Sequence, residues 1–207
     1  MKKLIKKIVF YIKYYIGIEF ADFHYFPFNP LDVRLKDCDA VSMNVLCNLL
    51  DNSDIQYRLT DGIALGLYRN QAFIKHDNDI DFDVLEMDNY LQLKSLLKGL
   101  GFSIGRLVFW KGKVQQVVFY NENRLIVDFV IWKREGDYIY NYSEKGYERK
   151  QNIKYFSPLT RIQCYGHEFK IPGYIEEWLA FRYGNDWNIP KTYKGDWKEE
   201  CGDIHQI

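Results

Sequence analysis

Residues 60–69 read TDGIALGLYR and residues 73–83 read FIKHDNDIDFD, so a glycine turn and an arginine precede a dense run of carboxylates. In Asp79-Ile80-Asp81 the acids are two residues apart, and on an extended strand side chains with this spacing point the same way. Two carboxylates directed at one point repel each other unless a cation lies between them. Hard oxygen ligands suit Mg²⁺ or Mn²⁺, which usually also bind substrate phosphates. The stretch therefore suggests a metal-assisted enzyme that acts on a phosphorylated substrate.

The apolar neighbours of these acids strengthen the prediction. An Asp-Xaa-Asp pair alone is weak evidence, because acidic runs are also common in solvated loops. Here the acids alternate with Ile80, Phe82 and Val84. This period-two pattern predicts a half-buried strand over 79–85, with the apolar side chains inward and the acids on the opposite face. An EF-hand is excluded, since the glycine and glutamate of that loop are missing at the required offsets.

A third acid, Asp128, lies in the strongly apolar run of residues 124–132. A lone aspartate in a buried strand is costly unless it is paired or bound to a metal. One interpretation is a satisfied core aspartate at a strand end. The other is that Asp128 lies beside Asp79 and Asp81 on a neighbouring strand and completes a three-carboxylate cluster. Metal ions held in this way would grip a nucleotide pyrophosphate.

Three residues near the glycine turn are candidates for contacting phosphate. Arg69 and Lys75 would neutralise phosphate oxygens, and Arg69 offers two parallel hydrogen bonds. Gly62 would let the backbone approach the phosphate, and the helix that follows would present N–H groups there. The predicted site thus combines metal-binding acids with phosphate-binding cations.

Bulk composition limits the class of protein. With 207 residues, of which 47% are hydrophobic, the chain is long enough for one domain with a sizeable core. Lys+Arg and Asp+Glu balance at 28 each, so the chain is not a nucleic-acid-binding polycation. No cysteine pair has Cys-Xaa-Xaa-Cys spacing, which predicts reduced thiols and a cytoplasmic protein. The cysteines are Cys38, Cys47, Cys164 and Cys201.

Residues 1–20 combine lysines with apolar side chains at helical spacing, among them Ile5, Ile8 and Ile12. Lys13 interrupts the apolar run, so the segment is too short to cross a bilayer. No small-residue cleavage site follows, which argues against a secretory signal. The segment is therefore either a peripheral helix on an anionic membrane surface or an ordinary first helix packed on the domain.

The pattern along the chain predicts an α+β protein with a mixed or antiparallel sheet. Helices are expected over 39–52, 62–68, 90–100 and 174–183, and strands over 55–59, 79–85, 104–110, 114–120, 124–132 and 138–142, with a last hairpin around 165–167. Asp37 or Asp39 would cap the first helix, and Gly101 would stop the third. Three segments are expected: 1–30, an N-terminal helix and turn; 31–195, a catalytic domain; and 196–207, a polar tail.

Residues 61–83 resemble the signature of the LicD/fukutin family of the nucleotidyltransferase-fold superfamily. That signature runs approximately Gly-Thr-Leu-Leu-Gly-x-x-Arg-x-x-x-Phe-Ile-Pro-x-Asp-x-Asp-x-Asp. The matching positions are Gly62, Leu65, Gly66, Arg69, Phe73, Ile74, Asp77, Asp79 and Asp81. Residues 127–129 resemble the family's third-carboxylate strand, and scattered blocks of residues 169–190 resemble its closing motif. The sequence departs from the pattern at Ile63, Lys75 and Asn78, where the family commonly has threonine, proline and aspartate.

The resemblance implies a nucleotidyltransferase-like mixed sheet with flanking helices and additional β-hairpins. It also implies a cytoplasmic phosphotransferase that moves phosphocholine, glycerol phosphate or ribitol phosphate from a CDP-activated donor to a sugar hydroxyl of a surface glycan or glycolipid. Asp79, Asp81 and Asp128 would bind Mg²⁺ or Mn²⁺. Asp128 is the first candidate to take the hydroxyl proton, ahead of His76. The implied donor-binding residues are Gly62, Gly66, Arg69, Lys75 and Asp77.

Two alternatives use the same residues differently. A nucleotidyltransferase would move a nucleoside monophosphate from an NTP to a small molecule or protein with the same carboxylates. A non-catalytic module would use the acids only to hold a structural cation. No nucleic-acid partner is expected, because the lysines cluster near residue 1 and not along a stacking groove.

Overall fold

The computed structural model describes residues 4–5, 8–9, 34–191, 198 and 201–207. Between residues 34 and 191 lie four α-helices, one short 3₁₀ helix and nine strands, and a tenth strand follows. The helices are α1 (Asp39–Asp51), α2 (Asp61–Asn70), α3 (Leu91–Lys98) and α4 (Ile175–Tyr183), with the 3₁₀ turn at Ile153–Tyr155. The strands are β1 (Gln56–Leu59), β2 (Asp79–Leu85), β3 (Ser103–Trp110), β4 (Lys113–Tyr120), β5 (Ile126–Glu135), β6 (Tyr138–Asn141), β7 (Tyr147–Asn152), β8 (Thr160–Cys164), β9 (His167–Ile171) and β10 (Ile204–Gln206).

The main sheet is mixed, and β5 is its central strand. β2 lies parallel to β5, with Asp79 opposite Ile126 and Leu85 opposite Trp132. β1 pairs antiparallel with β2, while β4 and then β3 pair antiparallel on the other side of β5. The end of β5 pairs with β6, and β7 and β10 continue this sheet in antiparallel order. The predicted α+β class, with a mixed sheet and consecutive hairpins, is confirmed.

One face of β2 and β5 carries the hydrophobic core. Ile80 and Phe82 of β2 are fully buried, as are Val127 and Phe129 of β5. The rings of Phe82 and Phe129 stack with their centroids 5.0 Å apart. Apolar burial stabilises a fold by about 25 cal/mol per Å² removed from water, so the alternation decides which face of β2 turns inward. The acids of β2 consequently lie on the opposite face, as predicted.

The four predicted helices form close to the expected bounds, and Gly101 has the left-handed φ of +77° just after α3. The predicted cap of α1 is wrong. Cys38 occupies the N-cap position, and no side chain caps it. The Asp39 carboxylate, in the first turn, accepts a hydrogen bond from the backbone N–H of Lys36 at 2.8 Å. The Asp37 carboxylate instead accepts one from a tyrosine hydroxyl of the β8–β9 hairpin, 2.9 Å away.

Strands β7 and β10 were not predicted. The side chains that β7 buries are Arg149 and Gln151, so its period-two pattern consists of polar residues. β10 pairs with β7, with Ile204 opposite Arg149. Asp203, immediately before β10, is fully buried. Hydrophobic periodicity carries no information about strands of this kind, because their inward residues are charged or amidic.

The predicted N-terminal helix lies mostly outside the described residues. The part that is described, Leu4, Ile5, Ile8 and Val9, is helical with exposed side chains. Membrane contact through residues 1–20 stays a prediction. None of the described helices combines the length and the hydropathy needed to cross a bilayer.

None of the four cysteines forms a disulfide, as predicted.

Candidate active site

The structure brings together the three acids that the sequence singled out. In the parallel pairing of β2 with β5, Asp81 lies opposite Asp128, and Asp79 lies two residues earlier on the same face of β2. One carboxylate oxygen from each side chain lies within 4.8 Å of the other two. Three carboxylate oxygens at this separation are a suitable ligand set for a hard divalent cation. Their role as metal ligands stays a prediction.

The contacts of Asp128 support a cation at this position. Its Oδ2 atom accepts a hydrogen bond from Nε2 of Gln116 at 2.5 Å. Its Oδ1 atom is buried and has no hydrogen-bond partner among the described residues. A buried carboxylate oxygen without a partner is costly in a folded protein unless a cation or a ligand supplies one. The residues present therefore fit a divalent ion.

The acids destabilise one another's ionised forms. Burial, together with the nearby charge of Asp61, raises the pKa of Asp79 to about 6. Burial and the charge of Asp79 raise the pKa of Asp128 to about 7. Burial and the same neighbours raise the pKa of Asp81 well above its ordinary range. Without a cation the cluster therefore retains protons near neutral pH, and a divalent ion would displace them.

Asp77, predicted as a donor contact, lies at the edge of this cluster against Gly62. Burial first, and then the charge of Asp79, raise the pKa of Asp77 to about 7. A Cβ atom on Gly62 would lie 2.6 Å from Oδ2 of Asp77. Gly62 also lines the cavity described below. The observed role of this glycine is to make room for the Asp77 carboxylate, whereas backbone contact with phosphate stays a prediction.

The structure gives Gly66 a packing role. Gly66 is buried within α2 and is not among the residues that line the cavity. A Cβ atom there would lie 2.7 Å from the carbonyl oxygen of Ala72. The glycine therefore lets α2 pack closely on the loop that leads to the acids. This packing links Gly66 to the site, and its contact with the donor stays a prediction.

Arg69 and Lys75 both line the cavity. The Arg69 guanidinium donates from Nε to Oδ1 of Asn70 at 2.7 Å and from one terminal nitrogen to the carbonyl oxygen of Trp187 at 3.1 Å. Arg69 therefore also holds the segment that follows α4. Lys75 and His76 are exposed at the rim. The two cations that the sequence predicted to bind phosphate thus line the same cavity as the carboxylates.

The β8–β9 hairpin holds the loop that delivers the acidic strand. Its turn, Tyr165-Gly166, has φ angles of +52° and +77°, as a two-residue hairpin turn requires. The Tyr165 hydroxyl accepts the Phe73 backbone N–H and donates to Oδ1 of Asp37, both at 2.9 Å. The rings of Phe73 and Tyr165 lie 5.1 Å apart. These contacts fix the entrance to β2 and hence the position of its acids.

The acids open into a cavity of about 1000 Å³ on the outer face of the sheet. This volume is within the range of ligand-binding clefts and is large enough for a nucleotide. Six cationic side chains from separate parts of the chain line it: Arg69, Lys75, Arg106, Arg149, Arg182 and Lys191. Tyr183 and Trp187 contribute aromatic surface. A cavity that joins an acidic cluster to cationic walls suits a ligand that carries phosphates and arrives with a metal ion.

Sequence reasoning missed a buried ionic network beside the cluster. Asp61 accepts a hydrogen bond from Nε of Arg182 at 2.8 Å, and a terminal nitrogen of Arg149 lies 3.6 Å from the same oxygen. Asp203 holds both arginines from the other side. Burial alone would raise the pKa of Asp61, but the two arginines lower it. No spacing motif pointed to these residues, because they come from four distant parts of the sequence.

Gln116 was also missed, although a signal was present. It lies among valines in β4, and a polar residue in a buried strand usually has a specific partner.

Asp83 differs from its neighbours on β2. Its carboxylate is fully buried in an ion pair with Arg58 at 2.7 Å and accepts a hydrogen bond from the Trp132 indole at 2.6 Å. It does not line the cavity, so its contacts are structural.

Comparison with known proteins places the chain in a family. A family model described as LicD/FKTN/FKRP, nucleotidyltransferase domain, matches residues 54–174, which is more than half of the chain. A curated relative, "Ribitol-5-phosphate transferase FKTN" of Mus musculus, is 23% identical over 163 residues, covering 75% of this chain and 34% of that protein. The chain therefore spans about a third of the length of this relative.

Among solved structures, the lincomycin-bound lincosamide antibiotic adenylyltransferase LnuA is similar with a TM-score of 0.46 and 15% identity, over 70% of this chain and 82% of that one. The segment matched by the family model contains Asp79, Asp81 and Asp128. The chain belongs to the LicD/FKTN/FKRP nucleotidyltransferase-domain family.

Proposed function

We propose that the chain is a metal-dependent phosphotransferase that moves a phospho-alcohol group from a CDP-activated donor to a sugar hydroxyl of a glycan. Membership of the family supports this, as does similarity to a relative named as a ribitol-5-phosphate transferase. The observation that carries the proposal is the convergence of Asp79, Asp81 and Asp128 at the floor of a cavity with cationic walls.

Charge balance supports the need for a cation. Asp61 and Asp203 are matched by the two arginines that hold them. The three clustered acids lie together at the cavity, and burial and the charge of Asp79 raise the pKa of Asp128 more than the charge of Arg106 lowers it. Bound by the three carboxylates, Mg²⁺ or Mn²⁺ would balance this charge, polarise the attacked phosphorus and stabilise the leaving phosphate.

The residues of the chain have distinct parts in the proposed reaction. Arg69 and Lys75 bind the donor's phosphate oxygens and neutralise their charge. The acceptor hydroxyl oxygen forms a bond to the β-phosphorus while the bond from that phosphorus to the bridging oxygen breaks. CMP leaves with the bonding electrons, and the carboxylate of Asp128 takes the hydroxyl proton.

Two aromatic side chains of the cavity form a wall to which we assign the binding of ligand rings. Tyr183 and Trp187 both line the cavity. The Trp187 ring lies 5.9 Å from the ring of Tyr68, which fixes its orientation. Aromatic faces of this kind stack on sugars and bases. We assign this wall to binding of the donor's cytidine or the acceptor sugar.

The test combines binding with product analysis. Thermal unfolding is measured with CDP-choline, CDP-glycerol, CDP-ribitol, ATP and CTP, each with Mg²⁺ or Mn²⁺, since specific ligands raise the midpoint by mass action. Products with a sugar acceptor are then analysed by mass spectrometry. A phospho-alcohol adduct with free CMP supports the proposal. A nucleotidylated acceptor would instead favour a nucleotidyltransferase, and absence of metal-dependent turnover with every donor would favour a binding module.

A further inference from the structure

The segment of residues 201–207 packs beside the cavity. β10 pairs with β7, which also carries Arg149 of the cavity wall. A Cβ atom on Gly202 would lie 2.0 Å from the carbonyl oxygen of Phe181, so the backbone of this segment lies directly on α4. The glycine thereby allows the next residue, Asp203, to be buried between β7 and α4.

Asp203 contacts both arginines that face Asp61. Its Oδ2 atom accepts hydrogen bonds from Nε of Arg149 at 3.0 Å and from Nε2 of Gln151 at 2.8 Å. A terminal nitrogen of Arg149 lies 2.8 Å from the same oxygen, and Nε of Arg182 lies 3.7 Å from Oδ1. The two arginines are therefore held between two carboxylates, Asp61 on the cavity side and Asp203 behind.

Three of the four charged groups in this network line the cavity, and the fourth lies behind them. Arg149, Arg182 and Asp61 line the cavity, whereas Asp203 is fully buried and does not. An arginine side chain that is already held in place loses less rotamer entropy on binding an anion than a free one does. Asp203 holds both guanidinium groups from the side away from the cavity, while Asp61 contacts them on the cavity side.

We propose that Asp203 is a positioning residue that holds the Arg149–Arg182 pair ready to bind the diphosphate of a nucleotide ligand. Asp203 does not itself touch the ligand. The inference rests on the proposed function, because that function supplies the diphosphate. It extends the site beyond residue 174, where the family match ends, to Arg182 and Asp203.

The first experiment measures binding of CDP in the presence of Mn²⁺ by isothermal titration calorimetry, so no turnover is needed. Asp203→Asn removes the charge behind the arginines and keeps the side-chain shape. Asp83→Asn is the matched control, because Asp83 is also a fully buried carboxylate of the sheet paired with an arginine, but away from the cavity. We expect CDP affinity to fall at least tenfold in Asp203→Asn and to stay within twofold in Asp83→Asn.

Gly202→Ala tests the same idea without changing any charge. The added methyl group meets backbone and must displace the segment that carries Asp203. Because β10 is a three-residue strand at the edge of the sheet, we expect its release to be local and the core to stay folded. We expect a comparable loss of CDP affinity, so the inference stays testable if Asp203→Asn does not fold.

The outcomes separate this inference from the proposed function. Wild-type binding of CDP with an unchanged affinity in Gly202→Ala or in folded Asp203→Asn would overturn the inference alone. Equal losses in Asp203→Asn and Asp83→Asn would also overturn it, since the effect would then follow general destabilisation. Wild-type protein that does not bind CDP with Mn²⁺ would overturn the inference and the proposed function together. In a turnover assay with a CDP-activated donor, the inference predicts that Asp203→Asn raises the KM for the donor by a larger factor than it lowers kcat.

Discussion

Asp81 and Asp128 lie opposite each other on the parallel strands β2 and β5, although 46 residues of sequence, including the whole β3–β4 hairpin, separate them. Neighbouring parallel strands are about 4.8 Å apart, so two ionised carboxylates in this register repel strongly in a buried setting. A fold that keeps such a pair at the floor of a cavity gains stability when a cation binds between the acids.

Replacing either clustered acid of β2, Asp79 or Asp81, should remove activity and leave the fold intact. For Asp79→Asn and Asp81→Asn we expect turnover with a CDP-activated donor to fall more than about 100-fold, since even outer-shell partners of metal ligands are worth 10–100-fold. The metal-free variants should unfold at or above the wild-type temperature, because one repelling charge is gone. Asp88→Asn, an exposed acid paired with Lys133, is the control and should retain activity. Full activity of both β2 variants would contradict the account.

The stability of the metal-free protein should fall as pH rises from about 4 to about 7. The pKa values of Asp77, Asp79 and Asp128 are raised to between about 6 and about 7, from the ordinary value of 3.8. The folded state therefore binds more protons than the unfolded state in this window, and the free energy of unfolding decreases with pH. Asp203, with a pKa lowered to about 2 by its arginines against the effect of burial, contributes the opposite slope only below pH 4.

Magnesium should consequently stabilise the protein more at pH 8 than at pH 5.5, because at the lower pH the ion must displace bound protons. Thermal unfolding with and without Mg²⁺ at both pH values measures the difference. An equal shift at both, or a metal-free midpoint that rises between pH 5 and 7, would be inconsistent with the electrostatics of the cluster.

The two glycines of α2 should respond differently to alanine. In Gly62→Ala the new methyl group meets the Asp77 carboxylate, a side chain that can move, so we expect weaker metal binding with a small loss of stability. In Gly66→Ala it meets the backbone of Ala72, and we expect a loss of about 1–3 kcal/mol in the free energy of unfolding. Denaturant titration and Mn²⁺ binding separate the two. Gly99→Ala, with only one distant contact at 3.9 Å, is the control for both.

Breaking the ion pair between Arg58 and Asp83 should lower the stability of the protein and leave its metal binding unchanged. Asp83→Asn leaves the Arg58 charge buried and uncompensated, which costs about 3–5 kcal/mol when a buried pair is broken. Because Asp83 does not line the cavity, Mn²⁺ affinity should stay close to that of the wild type. Loss of metal binding in this variant, at a temperature where it remains folded, would show that Asp83 belongs to the site.

Much of the fold could be predicted, because hydrophobic alternation marks the strands that face the core. Ile80, Phe82 and Val84 set the orientation of β2, and with it the direction of its acids. The position of Asp128 required one further step, the parallel pairing of β2 with β5 across an intervening hairpin. The apolar run around Asp128 and the family resemblance pointed to a neighbouring strand, but not to the parallel direction of its pairing.

The arginine network could not be predicted, for a physical reason. β7 buries Arg149 and Gln151, so its inward face has no hydrophobic pattern to detect. Asp203 lies in a segment that is polar by composition, and its burial depends on partners that come from β7 and α4. Charged residues that stabilise one another across long sequence separations leave no local periodicity.

The central claim is that Asp79, Asp81 and Asp128 bind one shared divalent cation, and Mn²⁺ titration followed by electron paramagnetic resonance tests it most directly. At pH 7.5 we predict saturable binding by the wild type, at least tenfold weaker binding by Asp79→Asn, Asp81→Asn and Asp128→Asn, and wild-type binding by Asp88→Asn. No saturable binding by the wild type, or equal affinity in all the variants, would contradict the account.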